Sequence, residues 1–266
     1  MPELDALRDR LRAAWPMVVA FSGGADSAFL AYVAHDTLGA EKVTVATAVS
    51  PSLAADELSD CRALASEWGV HLVEVETDEL ASDDYRSNDG DRCYWCKSSL
   101  MDALAPLALA RGNATVALGV NVDDLGDHRP GQRAAAERGA VFPLVDAGFT
   151  KADVREWSRV LGLRTWDKPA AACLSSRVPY GTPVTVEVLG RIERAERALR
   201  GLGFRELRVR HYGDTARIEV PIGDLERVLV ARAEVVEAVR GAGYAYVTLD
   251  LEGLRSGNLN DALRTT

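Results

Sequence analysis

No run of eighteen apolar residues occurs in this 266-residue chain, so no membrane-spanning helix is expected. Cysteine is scarce. There are 4, two of them in a single C-x-x-C, which argues against a secreted disulfide scaffold and makes the cytoplasm the expected compartment. Positive charge is in deficit: 31 Lys and Arg stand against 40 Asp and Glu, a net charge of −9. A general nucleic-acid binder carries a basic face, so no nucleic-acid partner is expected. The N-terminal MPELDALRDRLRAAW mixes acids and bases on an amphipathic helix and reads as neither a signal nor a transit peptide. Internal repeats and low-complexity segments are also missing. So are the P-loop pattern G-x-x-x-x-G-K-[ST] and the dinucleotide fingerprint G-x-G-x-x-G.

What is present suffices for one large domain or two modest ones, with 47% hydrophobic and 27% charged residues. MVVAF, KVTVATAV, HLVEVET, TVALGV and AVFPLV read as strands. Helices are expected over 28–38, 54–68, 97–111, 131–138 and 151–161. Such alternation predicts an α/β domain with a mostly parallel sheet covered on both faces, expected over residues 1–178. From residue 179 the pattern becomes helix–strand–strand–helix–strand, with a hairpin signal at Tyr212-Gly213-Asp214. A small α+β domain is expected over 179–266.

FSGGADSAFL follows the first strand and opens the second helix. A glycine-rich turn at that junction leaves backbone N–H groups pointing one way at the positive end of a helix dipole. That is an anion site, and the usual anion is phosphate. GVNVDDLGDHRPG follows the fourth strand and carries Asp123, Asp124 and Asp127. An acidic loop opposite a phosphate turn suits Mg²⁺, which prefers carboxylates and arrives with phosphates; the plainer alternative is a polar turn with an N-cap aspartate.

DRCYWCKSS and PAAACLSSRVPYG give Cys93, Cys96 and Cys173. A C-x-x-C suits a redox pair, half of a zinc site or an iron–sulfur site. No second C-x-x-C exists and His128 is the nearest histidine, which disfavours structural zinc. Three thiolates with an open fourth position suit a [4Fe–4S] cluster with one exposed iron; three unrelated cysteines are the alternative. Cys61, inside a helix, fits a buried structural role. Arg177 can clamp a phosphate. Arg208 and Arg210 share one strand face, with Glu219 across the hairpin, as a cross-strand salt bridge or a ligand site. The basic residues of GRIERAERALRGLGFRELRVRH suit one anionic small molecule or, over 191–200, a solvated helix face.

The hexapeptide SGGADS matches the S-G-G-x-D-S motif and resembles the PP-loop ATP pyrophosphatases, which cleave ATP between the α and β phosphates. Together with DRCYWCK, NVDDLGDHRPG, AACLSSRVPYG, LRVRH, ARIE and DLEGLRSGNLN, in order along nearly the whole chain, the sequence resembles the LarE family of ATP-dependent sulfur transferases. The resemblance implies a Rossmann-like PP-loop sheet, ATP and Mg²⁺ as cofactors, and adenylation of a pyridinium dicarboxylate mononucleotide followed by displacement of AMP by sulfur. It implies Ser22, Gly23, Gly24, Asp26 and Ser27 on the ATP phosphates, with Asp26 and Asp124 on the metal. Trp95, Ser176, Arg177, Glu196, Arg208, Arg210 and Glu219 would line the substrate. Sulfur would come from a cluster on Cys93, Cys96 and Cys173, or from Cys173 itself as a sacrificial donor. A tRNA-thiolating PP-loop enzyme and a non-catalytic AMP-binding module are the competing classes. A homo-oligomer is the expected assembly.

Overall fold

The computed structural model describes residues 2–126, 130–169 and 172–255. In chain order the elements are α1 (Leu4–Ala13), β1 (Met17–Ala20), α2 (Ala25–Leu38), β2 (Val43–Val49), α3 (Ala55–Trp68), β3 (Leu72–Glu76), α4 (Asp83–Arg86), α5 (Arg92–Ala110), β4 (Thr115–Leu118), α6 (Pro130–Glu137), α7 (Pro143–Asp146) and α8 (Lys151–Val160). They continue with α9 (Val186–Gly201), β5 (Arg208–Tyr212), β6 (Thr215–Glu219), α10 (Leu225–Val230), α11 (Arg232–Gly241) and β7 (Tyr246–Leu249). The chain divides into two compact units. One is formed by Met1–Glu79 and Cys93–Ala171, the other by Leu80–Arg92 and Ala172–Thr266. The second unit therefore begins a few residues before the expected boundary at 178–179, and it also takes a segment from the middle of the chain.

The first unit holds a four-stranded sheet in the order β3-β2-β1-β4, parallel throughout, with Val18 opposite Thr44 on one side and Val116 on the other. Strand side chains alternate between faces. Met17 and Val19 pack with α1, α2 and α8, where Phe29 and Phe149 lie 5.6 Å apart, centroid to centroid. Val18, Ala46, Val116 and Leu118 pack on the opposite face with Leu100 and Leu104 of α5 and Ala135 of α6. The doubly covered parallel sheet is the expected fold class. Helix α2 buries residues on nearly every side, as a central helix pressed between sheet and outer helices must. Helix α8 starts with a reciprocal capping box between Thr150 and Asp153.

The fifth strand expected at AVFPLV is absent. Only Val141 makes a bridge, to Ala117, and Pro143 then opens the short helix α7. Proline cannot donate to a ladder, and its fixed φ suits a first helical position. Helix α5 starts at Arg92 rather than at Lys97, which places both cysteines of the C-x-x-C on its opening turns.

The second unit has a three-stranded sheet in the order β5-β6-β7. Strands β5 and β6 form the predicted hairpin, whose two-residue loop carries Gly213 at φ +61°. Strand β7 returns parallel to β6. The helix expected before it is two helices, α10 and α11, meeting at Ala231. Thr185 caps α9 by accepting from the Val188 N–H, and Leu189, Ile192, Ala195 and Leu199 are buried along that helix.

Candidate active site

In the β3-β2-β1-β4 order the chain leaves β1 toward one side and returns through β4 on the other. The crevice beyond the carboxyl ends of β1 and β4 is the switch point where doubly wound sheets bind ligands. The glycine turn Ser22–Gly24 stands at the end of β1 and leads into α2, whose N-cap is Gly24. Gly23 adopts φ +70°, a conformation glycine takes without strain. The Ser27 hydroxyl ties the turn closed. It accepts from the Ser22 N–H at 3.2 Å, donates to the Gly24 carbonyl at 3.1 Å, and lies 3.1 Å from the Ser22 hydroxyl. Helix geometry leaves the first-turn N–H groups of α2 without intrahelical acceptors. From β4, Gly119 meets this turn closely. A β-carbon there would lie 2.7 Å from the Ser27 N and Cα and 2.8 Å from the Asp26 carbonyl carbon.

Asn121, just past β4, organises the acids. Its side-chain amide donates to Asp26 Oδ1 at 3.0 Å, and its carbonyl oxygen accepts from the Asp123 N–H at 3.0 Å. Its own N–H donates to Asp124 Oδ2 at 3.3 Å. Asp123 in turn accepts from the Lys151 N–H at the start of α8. Burial pushes the Asp26 carboxyl above its ordinary pKa. The Asn121 hydrogen bond opposes the shift, and the Asp124 charge adds to it. A cation between two such carboxylates would relieve both penalties, so Asp26 and Asp124 fit the two-carboxylate share of a Mg²⁺ site. Asp127 lies outside the described residues.

Beneath the turn, Cys61 is fully buried. A β-carbon on Gly23 would meet its sulfur at 2.8 Å, and burial pushes its thiol up to about 11. This cysteine is a wall of the turn, consistent with a structural role. The other three are outside any disulfide: Cys93 and Cys173 exposed, Cys96 half-buried. Cys93, Trp95 and Cys96 lie on the opening turns of α5 in the first unit, where Trp95 stacks edge-on with Tyr94 at 5.2 Å. Cys173 belongs to the second unit, immediately before the 3₁₀ turn Leu174–Arg177. Among the described residues, no group of three or more His, Cys, Asp or Glu side chains is gathered to hold a metal ion.

The second unit brings together Ser176, Arg177, Glu196, Arg208, Arg210 and Glu219. Glu196, fully buried on α9, accepts from Arg177 Nε at 2.8 Å, from Arg200 Nη2 at 3.0 Å and from the Val209 N–H at 3.1 Å. Glu219 takes Arg210 in a bidentate pair, both bonds at 2.9 Å, and Arg217 at 3.0 Å. Arg210 also donates to the Ser176 carbonyl, and Arg177 to the Ser176 hydroxyl. Arg208 differs from these. It has no ion-pair partner among the described residues and donates only to the Arg255 carbonyl, at 3.4 Å. Burial lowers its pKa, and the nearby charges of Arg210 and Arg177 lower it further. Glu219 and Glu196 offset part of this but are held by the other arginines, so a guanidinium with no ion pair of its own beside two others is a place for an anion.

The NAD synthase family model matches residues 5–89, a span that contains the glycine turn. A protein of Synechocystis sp. described only as uncharacterized is 49% identical over 248 residues, 92% of each chain. The pyridinium-3,5-bisthiocarboxylic acid mononucleotide synthase of Lactiplantibacillus plantarum is 39% identical over 258 residues, covering 97% of this chain and 92% of that one. The chain belongs to the LarE family. It is an ATP-dependent sulfurtransferase with the PP-loop form of the parallel sheet. An uncharacterized protein of Methanocaldococcus jannaschii is also similar, 27% identical over 240 residues.

Neither Asn121 nor Gly119 stands out in the sequence of this LarE chain. The asparagine was visible only as a polar neighbour of two aspartates, and its bond to Asp26 spans 95 residues. Gly119 offered the fainter signal of a glycine directly after a strand, which marks close backbone approach.

Proposed function

We propose that the protein adenylates the carboxylates of a pyridinium dicarboxylate mononucleotide with ATP and converts them to thiocarboxylates. The observation that carries this reading is that the identity to the Lactiplantibacillus synthase runs through 97% of the chain, taking in both units. The chemistry is coherent. A carboxylate is a poor electrophile because oxide would have to leave. Attack of a carboxylate oxygen on the α-phosphorus of ATP expels pyrophosphate and gives an acyl adenylate. A sulfur nucleophile then adds to the acyl carbon and expels AMP.

In this reading the first-turn amides of α2, that of Ser27 among them, and the Ser22 hydroxyl hold the ATP phosphates, while the Ser27 hydroxyl keeps the turn closed and Gly23 and Gly24 allow close approach. Asp26 and Asp124 would hold Mg²⁺, which when bound neutralises charge on the departing pyrophosphate. Asn121 fixes the rotamer of Asp26. Arg208 takes the phosphate of the mononucleotide. Glu196 and Glu219 act through the arginines they hold, keeping Arg177 and Arg210 in place beside Ser176. Trp95 offers a flat face for the pyridinium ring.

For sulfur supply, three cysteines outside any disulfide, two of them exposed, offer the ligand chemistry of an iron–sulfur cluster. A [4Fe–4S] cluster held by Cys93, Cys96 and Cys173 would offer one iron for an additional sulfide. The exposed Cys173 equally suits the sacrificial mode, in which the protein loses its own sulfur and keeps dehydroalanine. Substrate and sulfur source are tested together. Anaerobically purified protein is given Mg-ATP with either the pyridinium mononucleotide or bulk tRNA, and pyrophosphate, iron content and intact mass are measured. Pyrophosphate released with tRNA alone overturns the substrate. Iron-free protein lighter by one H₂S per sulfur delivered overturns the cluster.

A further inference from the structure

We infer that Lys168 is a phosphate-binding residue of the nucleotide site, its ammonium fixed beside Gly23 and donating to a phosphate oxygen of bound ATP. The inference rests on the ATP reading of the glycine turn. That turn lacks the lysine a P-loop carries within its own sequence. The fold brings one to the same place from the segment after α8. Lys168 Nζ lies 3.7 Å from the position of a β-carbon on Gly23, and with no side chain at Gly23 nothing from that residue stands between the ammonium and the turn.

The lysine is held in advance. Its Nζ donates to Glu57 Oε2 at 2.9 Å and to Asp60 Oδ2 at 2.7 Å, both on the opening turns of α3. Asp60 is itself braced by Arg164 at 2.6 Å. An ammonium has three N–H donors. Two are committed to the carboxylates, the third has no acceptor among the described residues, and 18% of the side chain remains open to solvent. Burial works against the ammonium's charge, but the bonds to Asp60 and Glu57 outweigh it and raise its pKa, so it stays cationic at neutral pH. A donor already fixed and charged pays little ordering entropy when an anion arrives. Lysine serves as a compact point charge on phosphates in other nucleotide sites. A simple tether between α3 and the segment after α8 also accounts for the two carboxylates, and the positive φ of Gly23 with the Cys61 sulfur accounts for its missing side chain, so the observation that favours phosphate is the third ammonium N–H left beside the turn.

The test uses the full chain. Mg-ATP, AMP, inorganic pyrophosphate and adenosine are titrated calorimetrically into wild type and Lys168→Gln. The variant is expected to bind ATP roughly ten- to hundredfold more weakly, the worth of one charge-assisted hydrogen bond. The same loss should appear for AMP or for pyrophosphate, whichever carries the contacted oxygen, with adenosine unchanged. Equal ATP affinity in the two proteins overturns the assignment. So does a loss for adenosine in proportion to ATP, which marks a tether whose removal disturbs the whole site. Wild type that binds no ATP overturns the ATP reading as well. Should the variant not fold, reductive methylation of wild type followed by mass spectrometry decides: ATP is expected to protect Lys168, and unchanged labelling in its presence refutes the contact.

Discussion

Replacing Gly119 by alanine is the sharpest perturbation of the nucleotide turn that leaves every named side chain in place. The added methyl would lie 2.7 Å from the Ser27 N and Cα and 2.8 Å from the Asp26 carbonyl carbon. Carbon atoms rest at about 3.5–4.0 Å, so the turn and β4 must part by roughly 0.8–1.3 Å. All three atoms are backbone, and no rotamer change relieves the contact. Overpacking of this kind costs about 1–3 kcal/mol of stability. A displacement near 1 Å at reacting groups costs on the order of 100-fold in rate. Gly119→Ala should therefore melt a few degrees lower, and its substrate-dependent pyrophosphate release should fall by about two orders of magnitude. Gly241→Ala is the control. It lies at the end of α11 with nothing within 4 Å of the added carbon, and it should gain up to about 1 kcal/mol from helix propensity without affecting activity. Wild-type turnover by Gly119→Ala would refute the claim that this approach sets the turn.

Three further perturbations follow from the charges. Asp26 has a folded pKa raised above its ordinary 3.8, so its ionisation opposes folding above that pH and has no effect once both states are protonated. Asp26→Asn should raise the melting temperature at pH 7, lose that gain as the pH falls below about 3.8, and abolish pyrophosphate release; a variant less stable at pH 7 contradicts this. Glu196→Ala strands the buried Arg177 without its carboxylate and should cost about 3–5 kcal/mol in urea unfolding; a loss under 1 kcal/mol would show the pair to be dispensable. Arg208→Ala should weaken the mononucleotide by about 1.5–3 kcal/mol in calorimetry and leave ATP binding unchanged, whereas equal losses for both ligands reject the division of labour.

The glycine turn, the acidic loop and the strand–helix alternation were legible because each is written in consecutive residues. Positive φ at Gly23, a helix N-terminus after a valine-rich strand and a two-residue hairpin loop at Gly213 are local consequences of residue type. Local chemistry also misled where it was ambiguous: AVFPLV has the apolar content of a strand, and the proline in its middle turned it into a helix start. Tertiary structure alone decided the pairings. The order β3-β2-β1-β4 put the ends of β1 and β4 side by side, and only that juxtaposition delivered Asn121 to Asp26 and Gly119 to Ser27. Packing within the second unit set Arg177 and Arg210 on the buried Glu196 and Glu219 and left Arg208 without such a partner among the described residues, although all three arginines look alike in the sequence. The physical reason is range. Backbone preferences act over a few neighbours, whereas the partner of a buried charge is fixed by whichever carboxylate the packed core brings within 3 Å of it.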